Sequence, residues 1–229
     1  MSIILLSAGG PSGLSPRPPL PPEILERGDP VITGHTYHSD SGVSCVVWGA
    51  TPYRIRPKQR PDFEFSILLE GEVVLTAGDG TDTVVSAGDA FVLPPSFTYQ
   101  WGQTVPVLKF AVSFTPARPA APGSVFTPIR LASLMAEVIG ASEQVLFEEP
   151  TGRFRVIRRD FAAGAPASRL EPGQNLVKVL KGSVSLAEEA GDALVLEAGQ
   201  AAFVPVGEDC QVSATPSARL LICNVGPES

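Results

Sequence analysis

The chain has 229 residues, 44% of them hydrophobic, which is enough for two compact units of about 100 residues each. Its formal net charge of −7 argues against nucleic acid and against a membrane as partners, because both attract basic surfaces. No stretch approaches the roughly 20 apolar residues of a transmembrane helix. Cys45, Cys210 and Cys223 are odd in number and widely spaced, which fits neither a disulfide framework nor a structural zinc site. We therefore predict a cytoplasmic protein.

Residues 1–30 are predicted to form an N-terminal extended arm. Seven prolines fall between Pro11 and Pro30, and the segment has too little apolar pattern for an element of its own. The preceding run Ile3–Leu6 is either a short strand that adds to a sheet edge or a disordered tail, and the sequence leaves both open.

Residues 31–115 alternate β-rich runs with turn residues and predict a first β-barrel. Asp79-Gly80 between two apolar runs predicts a tight hairpin, because both central residues of a type I′ turn need positive φ. Many short strands with regular turns are typical of a sandwich or barrel. The predicted strands are Cys45–Trp48, Phe65–Leu69, Val73–Leu75, Thr83–Val85, Ala90–Leu93 and Val107–Phe114.

Residues 116–150 are predicted to be a linker that contains the chain's one helix. Pro116–Pro128 is rich in proline and alanine, and apolar residues then recur at the helical period over Ile129–Ile139. Thr127 can cap this helix, Pro128 suits its first turn and Gly140 can close it.

Residues 151–229 repeat the first barrel. Leu69–Leu75 recurs as Leu180–Leu186, and the punctuating residues keep an offset of 111 positions (182−71). The matched pairs are Gly71 with Gly182, Gly80 with Gly191, Gly88 with Gly199, and Pro94 with Pro205. The sequence therefore predicts an all-β fold of two tandem jelly-roll β-barrels with one linking helix, and these pairs should occupy the same topological places.

The order strand, glycine, strand, turn, Gly-Asp, strand and proline resembles the cupin superfamily, and the double copy resembles a bicupin. Glu64 and Gly71 match the end of the family's first motif. Gly88 and Pro94 match part of its second, with Tyr99 where its histidine would fall.

The first copy is also similar, more closely, to the small-cupin branch that includes ureidoglycine aminohydrolase-like proteins. The residues that carry this likeness are Trp48–Pro52, Phe63–Gly71, Gly88–Pro94 and Trp101. The second copy resembles a generic cupin in which Asn175 replaces the first-motif carboxylate and Cys210 replaces the second-motif histidine.

The resemblance implies a divalent transition metal held by imidazoles and a carboxylate, but no histidine follows His38. With Glu64 as the carboxylate, the two histidine positions fall at Pro57 and Gln59 or at Lys58 and Arg60, depending on the spacing. We therefore predict no cofactor and no three-His centre. If a metal binds, the ligands to test are Glu64, Tyr99 and Cys210, then His35 and His38, which are expected in a loop before the first barrel strand.

The first barrel is predicted to carry the ligand site. Arg54 and Arg56 alternate with Tyr53 and Ile55, so both guanidinium groups share one face of a strand. The resemblance places Glu64, Tyr99 and Trp101 in the pocket, with Trp48 nearby. The predicted ligand-binding residues are Arg54, Arg56, Glu64, Tyr99 and Trp101. The alternative is that the arginines are surface residues paired with Glu64 and Asp62.

Two functions remain open from the sequence. One is a metal-poor bicupin that binds a small organic acid or polar metabolite in its first barrel, with a mainly structural second barrel. The other is a metal-dependent enzyme, such as a ureidoglycine aminohydrolase-like hydrolase, an isomerase or an oxygenase. The partners predicted are a small molecule and, for the whole chain, a second copy in a homodimer.

Overall fold

The computed structural model describes residues 3–116, 125–136, 138–140, 142–188 and 193–227. The chain divides into two compact units. Ser7–Arg130 form the N-terminal unit, and Met1–Leu6 together with Leu131–Ser229 form the C-terminal unit. Residues 117–124 of the predicted linker and the turn residue Gly191 lie outside the described residues.

The first strand, β1 (Ile4–Leu6), belongs to the C-terminal unit. The strands of the N-terminal unit are β2 (Ser15–Pro16), β3 (Leu25–Arg27), β4 (Ile32–Asp40), β5 (Val43–Ala50), β6 (Tyr53–Ile55), β7 (Phe63–Glu70), β8 (Glu72–Ala77), β9 (Asp82–Ser86), β10 (Ala90–Leu93), β11 (Tyr99–Gln103), β12 (Val107–Phe114) and β13 (Thr127–Ile129). A 3₁₀ turn spans Pro22–Ile24.

Two antiparallel sheets make up the N-terminal unit. One has the order β13-β10-β7-β12-β5-β4-β2 and the other the order β3-β6-β11-β8-β9. Side chains alternate between the two faces of each strand, so every second residue points between the sheets. Leu68 and Phe91 from the first sheet meet Val73 and Trp101 from the second in one apolar core. The unit is a jelly-roll sandwich, as the sequence predicts.

The C-terminal unit repeats this plan. Its further elements are α1 (Leu131–Ala136), β14 (Ser142–Glu148), β15 (Phe154–Phe161), β16 (Ser168–Arg169), β17 (Gln174–Lys181), β18 (Ser183–Glu188), β19 (Leu194–Glu197), β20 (Ala201–Val204), β21 (Cys210–Ala214) and β22 (Ala218–Val225). A 3₁₀ turn spans Gly207–Asp209. The sheets have the orders β1-β20-β17-β22-β15-β14 and β16-β21-β18-β19. The pairing of β1 with β20 confirms the strand alternative for Ile3–Leu6.

The 111-residue repeat is present in the strand register. Ser113 of β12 lies opposite Glu64 of β7, and Asn224 of β22 lies opposite Asn175 of β17, an offset of 111 in both strands (224−113, 175−64). Pro94 directly follows the matching strand β10, and Pro205 directly follows β20. The pairs Gly71 with Gly182, Gly88 with Gly199, and Pro94 with Pro205 therefore occupy the same topological places, as predicted.

The predicted helix is wrong at its start. Thr127–Ile129 pair with β10 as strand β13, and the helix spans only Leu131–Ala136. Pro128 is tolerated because β13 is an edge strand. On its outer side no neighbouring strand needs the backbone N–H that proline lacks. Leu131 and Leu134 are buried, but Val138 is 93% exposed, so the predicted apolar face does not continue.

The Asp79-Gly80 hairpin is confirmed, but its turn is longer than the predicted two residues. Strand β8 ends at Ala77 and β9 begins at Asp82. Gly80 has φ 85°, and the Asp79 carboxylate accepts a hydrogen bond from the Thr81 amide at 2.9 Å. The Asp79 side chain thus stabilises this longer turn in addition to the backbone bond that the Gly80 amide donates to the Ala77 carbonyl at 2.9 Å.

Within the described residues, no helix combines the length and apolar character that crossing a bilayer requires.

Candidate ligand-binding site

A cavity of about 190 Å³ lies inside the N-terminal unit. Strands from both sheets line it, since each turns alternate side chains inwards. Its charged lining residues are Lys58, Arg60, Glu64 and Lys109, and its larger apolar and aromatic ones are Leu20, Ile24, Trp48, Tyr53, Ile55, Leu93, Tyr99 and Trp101. The cavity is therefore apolar over most of its wall, with charge concentrated at a few atoms.

Glu64 of β7 is the centre of this charge. It is 5% exposed, and its Oε1 lies 2.5 Å from Lys109 Nζ while its Oε2 lies 2.7 Å from Arg60 Nη1. Ser66 Oγ donates a third hydrogen bond to Oε1 at 2.9 Å. Burial alone would raise the pKa of Glu64, but the two cations and these hydrogen bonds lower it to about 2. Glu64 is therefore ionised and fully engaged.

Lys109 is a cation enclosed by aromatic rings. It lies on β12, opposite Trp48 of β5 and Leu68 of β7, and is 6% exposed. Its Nζ is 4.9 Å from the Trp101 ring centroid, 5.2 Å from that of Trp48 and 5.9 Å from that of Phe91. Burial lowers the pKa of Lys109, against the opposing effect of Glu64. The rings favour the charged form but are worth only about 0.5–2 kcal/mol each.

Arg60 and Lys58 lie on the segment that connects β6 to β7. Arg60 makes a two-point contact with Asp62, with Nε to Oδ1 at 3.1 Å and Nη2 to Oδ2 at 2.8 Å, in addition to its bond to Glu64. Burial would lower the pKa of Arg60, but Glu64 and the neighbouring groups raise it. Burial lowers the pKa of Lys58, and the positive charge of Arg60 lowers it further.

Tyr99 and Trp101 lie two residues apart on β11 and so share its inner face. The backbones of Tyr99 and Lys58 exchange two hydrogen bonds, both 2.9 Å long, which hold the connecting segment against the barrel. Burial raises the pKa of Tyr99 to about 12, so its hydroxyl stays protonated at neutral pH. Trp101 Nε1 donates to Gln103 Oε1 at 2.8 Å.

The structure brings together Glu64, Tyr99 and Trp101 of the predicted site, with Trp48 beside them. Arg54 and Arg56 are exposed and do not line the cavity, which corrects the expected lining. The predicted alternation holds, but Tyr53 and Ile55 take the inner face of β6. Arg54 instead contacts Glu26 at 3.4 Å and Gln100 Oε1 at 2.5 Å.

Sequence reasoning missed Lys109 altogether. Its signal is the single charge in the apolar strand Val107–Phe114, in phase with Ala111 and Ser113, which also line the cavity. Lys58 and Arg60 were singled out only as positions where imidazoles are missing. The match to the family's first motif therefore points to two residues of the cavity, because the charged side chains of Lys58 and Arg60 both line it.

The residues of this site do not fit the divalent metal that the cupin resemblance implies. Both oxygens of Glu64 are paired with cations, and Lys58 and Arg60 stand at one pair of histidine positions. Additional positive charge beside these groups is unfavourable. Within the described ranges, no three His, Cys, Asp or Glu residues form a group that could hold a metal ion.

The other residues proposed as metal ligands are dispersed. His35 and His38 lie on strand β4 and not in a loop, and the His35 ring contacts the Tyr37 ring edge-on at 4.8 Å. Cys210 is buried in the apolar core of the C-terminal unit, and burial raises the pKa of its thiol to about 11. Cys45 and Cys223 are also buried.

The C-terminal unit carries no charge at the positions equivalent to Glu64 and Lys109. Asn175 replaces Glu64, and its amide donates to the backbone oxygens of Glu171 at 2.9 Å and Gly173 at 3.2 Å. Leu220 stands at the position of Lys109 (220−109 = 111) and is completely buried in the core. The Asn175 amide is thus hydrogen-bonded to the backbone of its own unit.

Comparison with known proteins identifies the first repeat. Residues 38–111 match the model of the EutQ-like cupin domain family. The N-terminal unit contains a cupin domain. This match covers β5 to most of β12, including Glu64, Tyr99, Trp101 and Lys109. The search among curated proteins found no match.

Solved structures share their fold with nearly the whole chain. A DUF861 family protein of unknown function from Pseudomonas syringae pv. tomato is 19% identical, with TM-score 0.69 over 97% of this chain and 98% of its own. A putative glyoxylate-induced protein from Pseudomonas aeruginosa is 13% identical, with TM-score 0.66 over 100% and 91%. A cupin 2 conserved barrel domain protein from Leptotrichia buccalis is 14% identical, with TM-score 0.65 over 88% and 98%. At these identities the likeness concerns the fold alone.

Proposed function

We propose that the chain is a cytoplasmic bicupin whose first barrel, within residues 31–115, binds a small organic acid without a three-His metal centre. The common strand register of the two units supports the bicupin assignment. The second barrel, within residues 151–229, is then mainly structural, because the positions of Glu64 and Lys109 are occupied there by Asn175 and Leu220.

The observation that carries the proposal is an excess of positive charge in a mostly apolar cavity. Lys58, Arg60 and Lys109 line it together with one described carboxylate, that of Glu64. Asp62 does not line the cavity but pairs with Arg60. Three positive and two negative groups therefore leave a net charge of +1 at the site. Among the residues that the structure describes, the unpaired charge is that of Lys58, which is partly exposed, and a ligand carboxylate bound beside it in the mostly apolar cavity would be attracted to it.

The size and walls of the cavity limit what can accompany that carboxylate. A volume of about 190 Å³ admits a molecule of only a few heavy atoms beyond the carboxylate. Trp101, Tyr99 and Ile55 provide apolar surface, and the Tyr99 hydroxyl provides a hydrogen bond for a polar substituent. Small aliphatic acids and 2-oxo or 2-hydroxy acids meet both conditions.

The alternative of a metal-dependent cupin enzyme, including the ureidoglycine aminohydrolase-like branch, is less well supported. Glu64 would have to release Lys109 and Arg60 before it could coordinate a divalent ion, and both cations would then be buried without their partner. The likeness to the DUF861 protein supports a shared fold and carries no ligand set to this chain.

Tryptophan emission tests the proposal directly, because Trp48 and Trp101 are the only tryptophans and both line the cavity. We expect acetate, propionate and lactate to change the emission saturably, whereas the uncharged acetamide does not. Lys58→Met should weaken binding about tenfold, which corresponds to about 1.4 kcal/mol. The exposed Arg54→Met and Arg56→Met serve as matched controls that leave binding unchanged. Equal binding of acids and amide would contradict the proposal.

A further inference from the structure

Lys109 differs from the other lysines of the chain in its surroundings. The four lysines are Lys58, Lys109, Lys178 and Lys181. Lys109 is buried, whereas Lys58 and Lys178 are partly exposed and Lys181 is exposed. Its Nζ faces the cavity, with Glu64 as its polar contact and the Trp48, Trp101 and Phe91 rings around it. A ligand in the cavity would therefore meet this amine in a nearly dry environment.

Two cations share the Glu64 carboxylate, and only one of them can give up its proton. Arg60 and Lys109 each bind one oxygen of Glu64. A guanidinium stays protonated in proteins, whereas a buried ammonium is readily neutralised. Burial in an apolar pocket beside another cation is the usual way in which a lysine becomes a nucleophile. The lowered pKa of Lys109, caused first by burial, agrees with this geometry.

We propose that Lys109 forms an imine with the carbonyl carbon of a small 2-oxo acid, whose carboxylate is held by Arg60 and Lys58. This inference rests on the proposed binding of an organic acid in the same cavity. Arg60 and Lys109 contact opposite oxygens of one carboxylate, so they lie within a few ångströms of each other. In a 2-oxo acid the carboxylate and the carbonyl are adjacent carbons, which matches that separation.

The step balances without a further reactant. The Lys109 ammonium releases one proton to solvent, and the free amine adds to the carbonyl carbon to form the C–N bond. The carbonyl oxygen takes up one proton from solvent and a second proton from nitrogen, and it leaves as water. The product is a protonated imine, which retains the positive charge beside the ionised Glu64. No group is oxidised or reduced.

Reductive trapping tests the inference on the full-length chain. Pyruvate and sodium cyanoborohydride should convert the imine into a stable secondary amine, detected as a single added pyruvate-derived group in the intact mass. Peptide mapping should place it on Lys109. Lys178→Arg is the matched control and should label fully, because it keeps Lys109. Burial also lowers the pKa of Lys178, but its ammonium donates to the Gly199 carbonyl. Lys109→Arg should lose the label at least tenfold.

Lactate separates the failure of this inference from the failure of the proposed function. It has the carboxylate of pyruvate and a hydroxyl in place of the carbonyl, so it can bind but cannot form an imine. If pyruvate and lactate both bind and Lys109 is unlabelled, the imine is excluded and acid binding stands. Equal labelling of all four lysines also excludes it. If neither acid binds, both proposals fail. Labelling confined to Lys109, with competition by lactate, supports both.

Discussion

Lys109 and Leu220 occupy the same register position in the two units, one opposite Leu68 and the other opposite Val179. Each pair is offset by 111 residues (220−109, 179−68). In the N-terminal unit this position puts an ammonium into a cavity, and in the C-terminal unit it fills the core with a completely buried leucine. Replacing Lys109 by leucine would therefore put an apolar side chain in place of a charged one at a strand position where the other unit already has leucine.

Lys109→Leu should destabilise the chain by about 2–4 kcal/mol, because buried Glu64 loses one of its two cations. Adding Glu64→Gln should restore at least half of this loss, since the uncompensated charge is then removed. Chemical denaturation of the two single variants and the double variant gives the coupling energy. If the two effects on the free energy of unfolding simply add, Lys109 and Glu64 do not interact. That result would contradict the contact indicated by their 2.5 Å separation.

The depressed pKa of Glu64 predicts a specific dependence of stability on pH. Its pKa falls from 4.5 to about 2 on folding, so between these values the unfolded chain binds a proton that the folded chain does not. The stabilisation is complete above about pH 4.5 and is lost as the pH falls to about 2, with a size of about 3 kcal/mol. The stability difference between wild type and Glu64→Gln should therefore narrow over this window. A constant difference would contradict the assignment.

Arg219 is predicted to stabilise the C-terminal unit far more than a surface arginine does. It is completely buried, with Nε 2.7 Å from Asp160 Oδ1 and Nη2 2.6 Å from Oδ2, and it also donates to the carbonyls of Leu134 and Val138. Arg219→Leu should cost about 3–5 kcal/mol, because buried Asp160 loses its two-point contact and keeps the more distant Arg158, whose Nε lies 3.7 Å away. The control Arg155→Leu, which removes partly exposed pairs with Glu148 and Glu171, should cost less than about 1 kcal/mol.

Gly71 should tolerate alanine much less well than Gly80. Both have positive φ, 79° and 85°, which costs an alanine about 1–2 kcal/mol. A Cβ on Gly71 would in addition lie 2.2 Å from the Pro106 carbonyl oxygen, whereas nothing lies within 4 Å of one on Gly80. We expect a loss of more than about 3 kcal/mol for Gly71→Ala and about 1 kcal/mol for Gly80→Ala. Thermal unfolding of both variants measures the difference, and equal losses would contradict the close approach.

The repeat predicted the fold because it depends on local chemistry that both copies retain. Turn glycines, the prolines that follow strands, and the alternation of apolar residues can each be recognised within a few residues. Ala90–Leu93 and Val107–Phe114 are accordingly predicted with their observed ends. The helix start was misplaced because Thr127–Ile129 pair with β10, a partner distant in sequence. Pairing with a distant strand overrides local helical periodicity.

The site was predicted only in part for a similar reason. Alternation shows which residues share a face, but which face is the inner one depends on the opposite sheet. Arg54 and Arg56 were therefore assigned to the inner face of β6, which Tyr53 and Ile55 occupy. Lys109 resembles a surface lysine until Glu64 of the neighbouring strand is seen beside it.

The pairing of β1 with β20 makes the C-terminal unit discontinuous in sequence. During synthesis, Ile4–Leu6 leave the ribosome long before their partners Ala201–Phe203 exist. The first strand of the chain must therefore remain unpaired with β20 while the entire N-terminal unit is made, and it completes its sheet only afterwards. A fragment that starts at Leu131 would keep every other strand of that unit but leave one edge of β20 open to pairing with another molecule.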